Sequence, residues 1–312
     1  MSSVFFDQMN IPKPHYNLDI NSLSHGAMTG KMLEKIEAVL LEEKPDWVLV
    51  YGDTNSTLAG ALAAKKLHIK VAHVEAGLRS FNMDMPEEIN RILTDRISDI
   101  LFCPTDTAIE NLKKEGYSNL NISQIKCGDV MYDAALFYAD RANRPVRVTE
   151  DAGFVLSTIH RQENTDDKRK LRAIFEALKT IAQDQKVILP LHPRTIKKLE
   201  NFGIVADSNI QILEPVGYFE MIWLLINCSC VITDSGGLQK EAFFFKKPCI
   251  TAREETEWVE LIHNKVNFLT GSDKDKILDT FEYIKEAQID FNMNLYGQGD
   301  TGSRIVRELI NF

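Results

Sequence analysis

The sequence predicts an α/β protein of two doubly wound, Rossmann-like domains facing a cleft, and three observations carry that expectation. Short apolar runs of strand length alternate with stretches of helical periodicity along almost the whole chain. The alternation breaks once, at "NRPVRVTEDAG" (residues 143–153), and then restarts. The length of 312 residues exceeds what one ordinary core supports and suits two domains of about 150 residues each.

The elements follow in order. Met28, Met32, Leu33, Ile36, Val39 and Leu40 recur at helical spacing. "DWVLVYG" is a strand closed by Gly52, and the Ala-rich "STLAGALAAKKL" is a helix. "KVAHVE" is a strand, "EEINRILTDRIS" a helix behind Pro86, "ILFCP" a strand and "TAIENLKKEG" a helix stopped by Gly116. "ISQIKCG" and "YDAALFYADRA" complete the first series as strand and helix. Repetition of this kind makes a parallel sheet covered on both faces. The second series runs strand "FVLSTIH", helix 167–182, strand "KVILPLH", helix "TIKKLENFG" and strand "IQILEP". It continues with helix "YFEMIWLLI", strand "CSCVITD", helix "GLQKEAFFF", strand "PCITA" and helix 273–286. The boundary is placed in the linker, giving domains 1–147 and 148–299, with a last helix at 300–312 that crosses back to the first.

Composition excludes several classes of function. The net charge of −9, with no basic tract, argues against nucleic acid as a partner. No apolar run approaches the ~20 residues of a membrane span, and no signal peptide is expected. The five cysteines lack zinc-site spacing and read as buried free thiols, which suits a reducing, cytoplasmic compartment.

The candidate chemistry lies at strand ends. Asp53 and Glu75 each follow a strand and stand one strand–helix–strand step apart, on one rim of one sheet. Glu87, in the first turn after Pro86, reaches the same rim. Three carboxylates crowded there are expected to raise one another's pKa and divide acid and base roles. The competing reading is that Asp53 caps a helix while Glu87 and Glu88 complement a helix dipole. In the second series, "TDSGGLQKEA" opens a helix with Ser235, Gly236 and Gly237, whose small side chains admit a diphosphate to the backbone N–H groups. Glu241 lies one turn on and suits ribose hydroxyls. His160 and Arg161 end the first strand of this series, His192 ends another, and Arg253 ends a third. A His there suits a departing phosphate and an Arg forks one.

Taken together, "VYGDTNSTLAGALAA", "HVEAGLRS", "MPEEINR", "HRQEN", "DSGGLQKEA" and "REETEW" resemble, in order and spacing, the non-hydrolysing UDP-N-acetylglucosamine 2-epimerases. The resemblance covers essentially the whole chain. It implies a fold like that of the GT-B glycosyltransferases and elimination and re-addition of UDP at a UDP-2-acetamido sugar, for cell-surface polysaccharide precursors. It implies catalytic roles for Asp53, Glu75, Glu87 and His160. It places UDP on Ser235, Gly236 and Gly237 with Glu241 at the ribose, and implies no metal, no other cofactor and a homodimer. Relatives acting on UDP-2,3-diacetamido-glucuronate, a GT-B glycosyltransferase and a hydrolysing epimerase are the alternatives. Two departures stand out. The family's opening strand with its "GTRP" loop, and its "TGQH" strand end, have no counterpart after Met1, so the first domain is expected to be truncated. Its sheet should lack a central strand, and the chain should be catalytically crippled, an inactive UDP-sugar-binding fragment. Residues 1–26 are the only stretch able to rebuild that strand. Trp258 stands where the family often has Arg, leaving that contact unassigned.

Overall fold

The computed structural model describes residues 9–312. It divides into two compact units, residues 1–133 with 294–312, and residues 134–293. The division falls inside the helix Val130–Ala139.

The first unit holds a parallel sheet of β1 (Trp47–Tyr51), β2 (Lys70–Val74), β3 (Ile100–Cys103) and β4 (Ser123–Lys126), in the order 1-2-3-4. Its helices are α1 (His25–Glu43), α2 (Asn55–Lys66), α3 (Pro86–Ile97) and α4 (Asp106–Lys114). Helix α5 (Val130–Ala139) leads out of the unit, and the terminal helix Thr301–Asn311 returns to it. Strand alternation divides the core into two faces. Ala72, Val74, Ile100 and Phe102 pack with Ile305 and Leu309 of the terminal helix. Val50 and Val71 face the other way, onto Leu40 and the alanines of α2. Val71 and His73 therefore share one face of β2, and His73 takes a place where an apolar side chain would ordinarily stand.

Among the described residues β1 stands at one edge of this sheet. Among the described residues β1 to β4 are consecutive hydrogen-bonded neighbours, because their spatial order follows their chain order. Of residues 1–26, the segment offered for rebuilding a strand, 9–24 form none and 1–8 lie outside the described residues.

The second unit holds six parallel strands: β5 (Val155–Thr158), β6 (Val187–Pro190), β7 (Ile210–Leu213), β8 (Cys230–Thr233), β9 (Cys249–Thr251) and β10 (Asn267–Leu269). Their order is 10-9-8-5-6-7. Cys230, Ile232, Val155, Val187 and Leu189 face one core, closed by Leu171, Ile174 and Leu178 of α7 (Lys168–Asp184). Val231, Leu156 and Ile188 face the other, closed by Leu224, Leu225, Leu238 and Ala242. Both faces are thus covered, as near-continuous apolar strands require. The order reverses between β5 and β8, and at such a switch point an open parallel sheet parts its loops and leaves a crevice.

Three short elements had no sequence signal. They are α6 (Gln162–Thr165), α11 (Val259–His263) and β10, each too short to show a period. The longer helices α8 (Pro193–Phe202), α9 (Tyr218–Asn227), α10 (Gly236–Phe244) and α12 (Lys274–Glu286) fall where periodicity places them. Among the described residues no helix is long and apolar enough to cross a membrane.

Candidate functional site

The acidic rim lies in the first unit. The register pairs Tyr51 with Val74, so Asp53 and Glu75 emerge side by side just beyond the ends of β1 and β2. Glu75 has φ of 68°, left-handed backbone that a non-glycine residue adopts only at a cost of about 1–3 kcal/mol. Its Oε2 stands 3.4 Å from where a Gly52 Cβ would lie, so Gly52 leaves room for the carboxylate. Glu87 is exposed in the first turn of α3.

The three carboxylates do not simply crowd one another. Asp53 is ion-paired to Arg91 of α3, and its carbonyl accepts from Asn90 Nδ2 at 2.9 Å. Arg91 also reaches Glu88 at 2.8 Å. Glu88, which the dipole reading would leave in solvent, is only 1% exposed. Its two oxygens accept from Ser80 N, Ser80 Oγ and Phe81 N as well, pinning the loop before α3. The neighbouring face of α3 carries Asp95, fully buried against His73, Arg79 and Gly77 N. Helix α3 is therefore charged inside, while its Ile89 and Leu93 are 41% and 46% exposed. A charged inner face is costly unless every group is paired. Sequence reasoning missed Glu88, Asn90, Arg91, Asp95, His73 and Arg79. The available signal was the i, i+3, i+7 spacing of Glu88, Arg91 and Asp95 behind Pro86.

The second site lies in the second unit at the switch point. The loops after β5 and β8 are joined by Asp234, which is fully buried. Its carboxylate accepts from His160 N at 3.0 Å, Arg161 N at 3.0 Å and Asn164 Nδ2 at 3.1 Å. His160 Nδ1 lies 3.3 Å from the same carboxylate, and its ring remains half exposed. A cavity of about 540 Å³ opens here. His160, His192, Arg194, Ser235, Gly237 and Glu241 form its polar side. Leu191, Pro215, Val216, Met221 and Leu238 form its apolar wall.

Ser235 caps α10, its Oγ accepting from Leu238 N. The first amides of a helix have no intrahelical partner, so those of the first turn are available to an anion. At Gly236 a Cβ would lie 2.6 Å from Glu257 Oε1 and would push that carboxylate aside. The same point is 3.7 Å from both the Arg161 and Arg253 guanidinium groups, so the two arginines flank this turn without lining the cavity. Arg253 is 6% exposed, bonds Glu257 at 3.0 Å, and leaves its buried Nε without a hydrogen bond. His192 caps α8, its Nδ1 accepting from Arg194 N at 3.2 Å. Trp258 takes a definite role: its Nε1 donates to Gly236 O at 2.9 Å, and its ring lies 4.1 Å from the buried Lys240 ammonium. Because a peptide's C=O and N–H point in opposite directions, this bond turns Gly237 N–H away from Trp258.

Glu241 carries the perturbed carboxyl of the site. Burial pushes it up to about 7, opposed by a hydrogen bond from Tyr218 and by nearby Lys240. Burial and Glu241 in turn hold the Tyr218 phenol well above its ordinary value. The raised value means the folded protein binds this proton more tightly, so ionising Glu241 costs stability as pH rises from the ordinary carboxylate range toward 7. A ligand whose hydroxyls need the ionised acceptor faces the opposite trend. With Glu241 at the ribose, as the family resemblance implies, UDP affinity should fall as pH drops through 7, by up to about tenfold per unit. Glu241→Gln should flatten that component in calorimetric titrations. An unchanged pH profile in Glu241→Gln would remove Glu241 from the site.

The sequence profile of the UDP-N-acetylglucosamine 2-epimerase family matches residues 1–310. The chain is 56% identical over 310 residues to the UDP-2,3-diacetamido-2,3-dideoxy-D-glucuronate 2-epimerase of Pseudomonas aeruginosa, covering 99% of this chain and 87% of that protein. It is 46% identical over 319 residues to a UDP-N-acetylglucosamine 2-epimerase of Methanococcus maripaludis, covering 98% and 86%. The crystal structure of the Methanocaldococcus jannaschii UDP-GlcNAc 2-epimerase with UDP-GlcNAc and UDP superposes with a TM-score of 0.87 at 44% identity, covering 100% of this chain and 88% of that one.

Proposed function

The chain belongs to the UDP-N-acetylglucosamine 2-epimerase family, and from that membership we propose how its residues invert C2 of a UDP-2-acetamido sugar. The protein is an isomerase, a UDP-sugar 2-epimerase. In this reading uracil lies on the apolar wall of Leu191, Pro215, Val216 and Met221. Glu241 receives the ribose hydroxyls. The diphosphate meets Ser235 and the amides of Gly236 and Gly237, with His160 beside it and Arg161 and Arg253 adding charge. The observation that carries the reading is this single cavity, apolar along one wall and ending at a helix N-terminus with a strand-end His.

The chemistry divides between the sites. A carboxylate of the set Asp53, Glu75 and Glu87 takes the C2 proton. The C–H electron pair forms the C1=C2 double bond, and the C1–O bond breaks with its pair leaving on the UDP oxygen. His160 serves that departing oxygen. The 2-acetamidoglucal then takes a proton at C2 on the opposite face while UDP oxygen returns to C1. Preorganised donors at the diphosphate stabilise charge that develops only in the transition state.

Incubation with UDP-N-acetylglucosamine in D₂O tests this. Deuterium at C2 with the sugar still on UDP is the expected result. Recovered substrate without label, with the full chain, would sink it. Released free N-acetylmannosamine would mark a hydrolysing epimerase, and sugar transfer to an acceptor a glycosyltransferase. One observation favours a second substrate: the 56% identity to the diacetamido-glucuronate enzyme exceeds that to the N-acetylglucosamine enzyme of Methanococcus maripaludis. Both UDP-sugars therefore belong in the assay, and the larger kcat/KM identifies the substrate. Five buried free thiols support a cytoplasmic setting. The proposed assembly is a homodimer, for which sedimentation should give twice the 35.5 kDa chain mass.

A further inference from the structure

Behind the acidic rim runs a chain of buried polar groups that touches no substrate-facing surface. His73 and Asp95 are both fully buried. His73 Nε2 donates to the Gly52 carbonyl at 2.8 Å, since a carbonyl only accepts. On its other side Nδ1 meets Asp95 Oδ1 at 2.7 Å. Asp95 Oδ2 accepts from Gly77 N at 3.1 Å and from Arg79 Nη1 at 2.7 Å. Arg79 continues as a fork onto both oxygens of Glu115, at 2.7 and 2.8 Å.

The two backbone groups that this chain grips are not arbitrary. Gly52 immediately precedes Asp53, and Gly77 lies two residues past Glu75. Both are left-handed, Gly52 at 64° and Gly77 at 78°, and Glu75 between them in space is left-handed too. Gly77 admits no side chain, because a Cβ there would stand 2.6 Å from the Ala108 carbonyl oxygen. Glycine adopts this backbone freely, but at Glu75 it is strained and persists only when the surroundings over-determine it. An apolar residue at position 73 would bury as well and would grip neither turn.

We infer that His73 and Asp95 are positioning residues for the epimerisation, His73 holding the turn that presents Asp53 and Asp95 holding the turn that presents Glu75. The inference rests on the catalytic reading of those two carboxylates. Displacing a reacting group by about 1 Å costs on the order of 10²-fold in rate. The binding of UDP, whose cavity is lined entirely from residues 158–241, stays untouched.

Two substitutions at one position separate positioning from mere support. Gln places its amide nitrogen where His places Nε2, so His73→Gln keeps the donor to Gly52 O. Asn places its amide near Nδ1, so His73→Asn keeps the Asp95 contact and loses Gly52. The expected result is that His73→Asn lowers kcat by about 10²-fold with KM and UDP affinity unchanged, while His73→Gln stays within about fivefold of the parent. Hydrogen–deuterium exchange supplies a readout independent of turnover: amides 52–55 should exchange faster in His73→Asn and not in His73→Gln. Asp95→Asn is the third arm, expected to quicken exchange at 75–79 and to lower kcat, and it decides the matter if His73→Asn does not fold. Equal losses in both His73 variants, or parental exchange and turnover in Asp95→Asn, would overturn the inference. A parent protein inert toward both UDP-sugars would instead sink the functional reading, and the exchange pattern would still report on the two turns.

Discussion

Replacing Glu87 by Gln is expected to lower kcat by about 10²–10⁴-fold, the usual worth of a positioned proton-transfer group, with UDP affinity held near the parental value. The side chain is exposed in the first turn of α3, one helical turn before Asn90 and Arg91, which hold Asp53. It makes no contact on which the fold depends, so the isosteric amide should leave stability within about 0.5 kcal/mol, as at an ordinary surface position. Steady-state turnover, UDP titration and a thermal melt together check this. Full activity in Glu87→Gln would remove Glu87 from the proton-handling set and leave Asp53 and Glu75 to carry it. Glu88→Gln makes the informative contrast. That carboxylate is buried against Arg91 and three loop donors, so its loss should appear in the melt before it appears in kcat.

The second large effect is expected at Asp234, and it should be a loss of stability and of binding together. Asp234→Ala leaves His160 N, Arg161 N and Asn164 Nδ2 without their acceptor. Each buried donor left unsatisfied costs about 1–3 kcal/mol. Breaking a buried charged contact costs about 3–5 kcal/mol in all, and the loss should register as a lower unfolding midpoint for the second unit. The same change frees the loop that presents His160, so UDP should bind more weakly. Asp234→Asn keeps one acceptor oxygen and should fall between the two. Denaturant titration with and without UDP measures both effects. An unfolding midpoint within 1 kcal/mol of the parent by the denaturant slope would mean that the loop is held by something else.

The sequence by itself determined the alternation of strands and helices and hence the residues that can stand at a sheet's carboxyl edge. Asp53, Glu75, His160, Ser235 and Gly237 were legible because a strand that ends in a small or polar residue announces a rim. That information is local, carried by periods of two and about 3.6 residues. Which rims meet is not local. β5 and β8 are neighbours only because the sheet order reverses there, which brings His160 to Asp234 across 74 residues of chain. Likewise β1 pairs with β2 across 23 residues of chain, a matter of pairing that no motif records.

The partners of the carboxylates were decided at the same level. Arg91, Asp95 and Glu88 look in sequence like the solvated face of a helix, and Ile89 and Leu93 like its buried stripe. Packing of α3 against β2 reverses that reading, because His73 and the turns at Gly52 and Gly77 offer buried polar groups that apolar side chains cannot satisfy. Trp258 shows the same limit. Its place beside Gly236 and over Lys240 depends on where the loop after β9 folds back onto α10. Pattern alone reveals which side of a residue is apolar; the pairing of buried polar groups depends on contacts between distant segments, and only the tertiary structure supplies those.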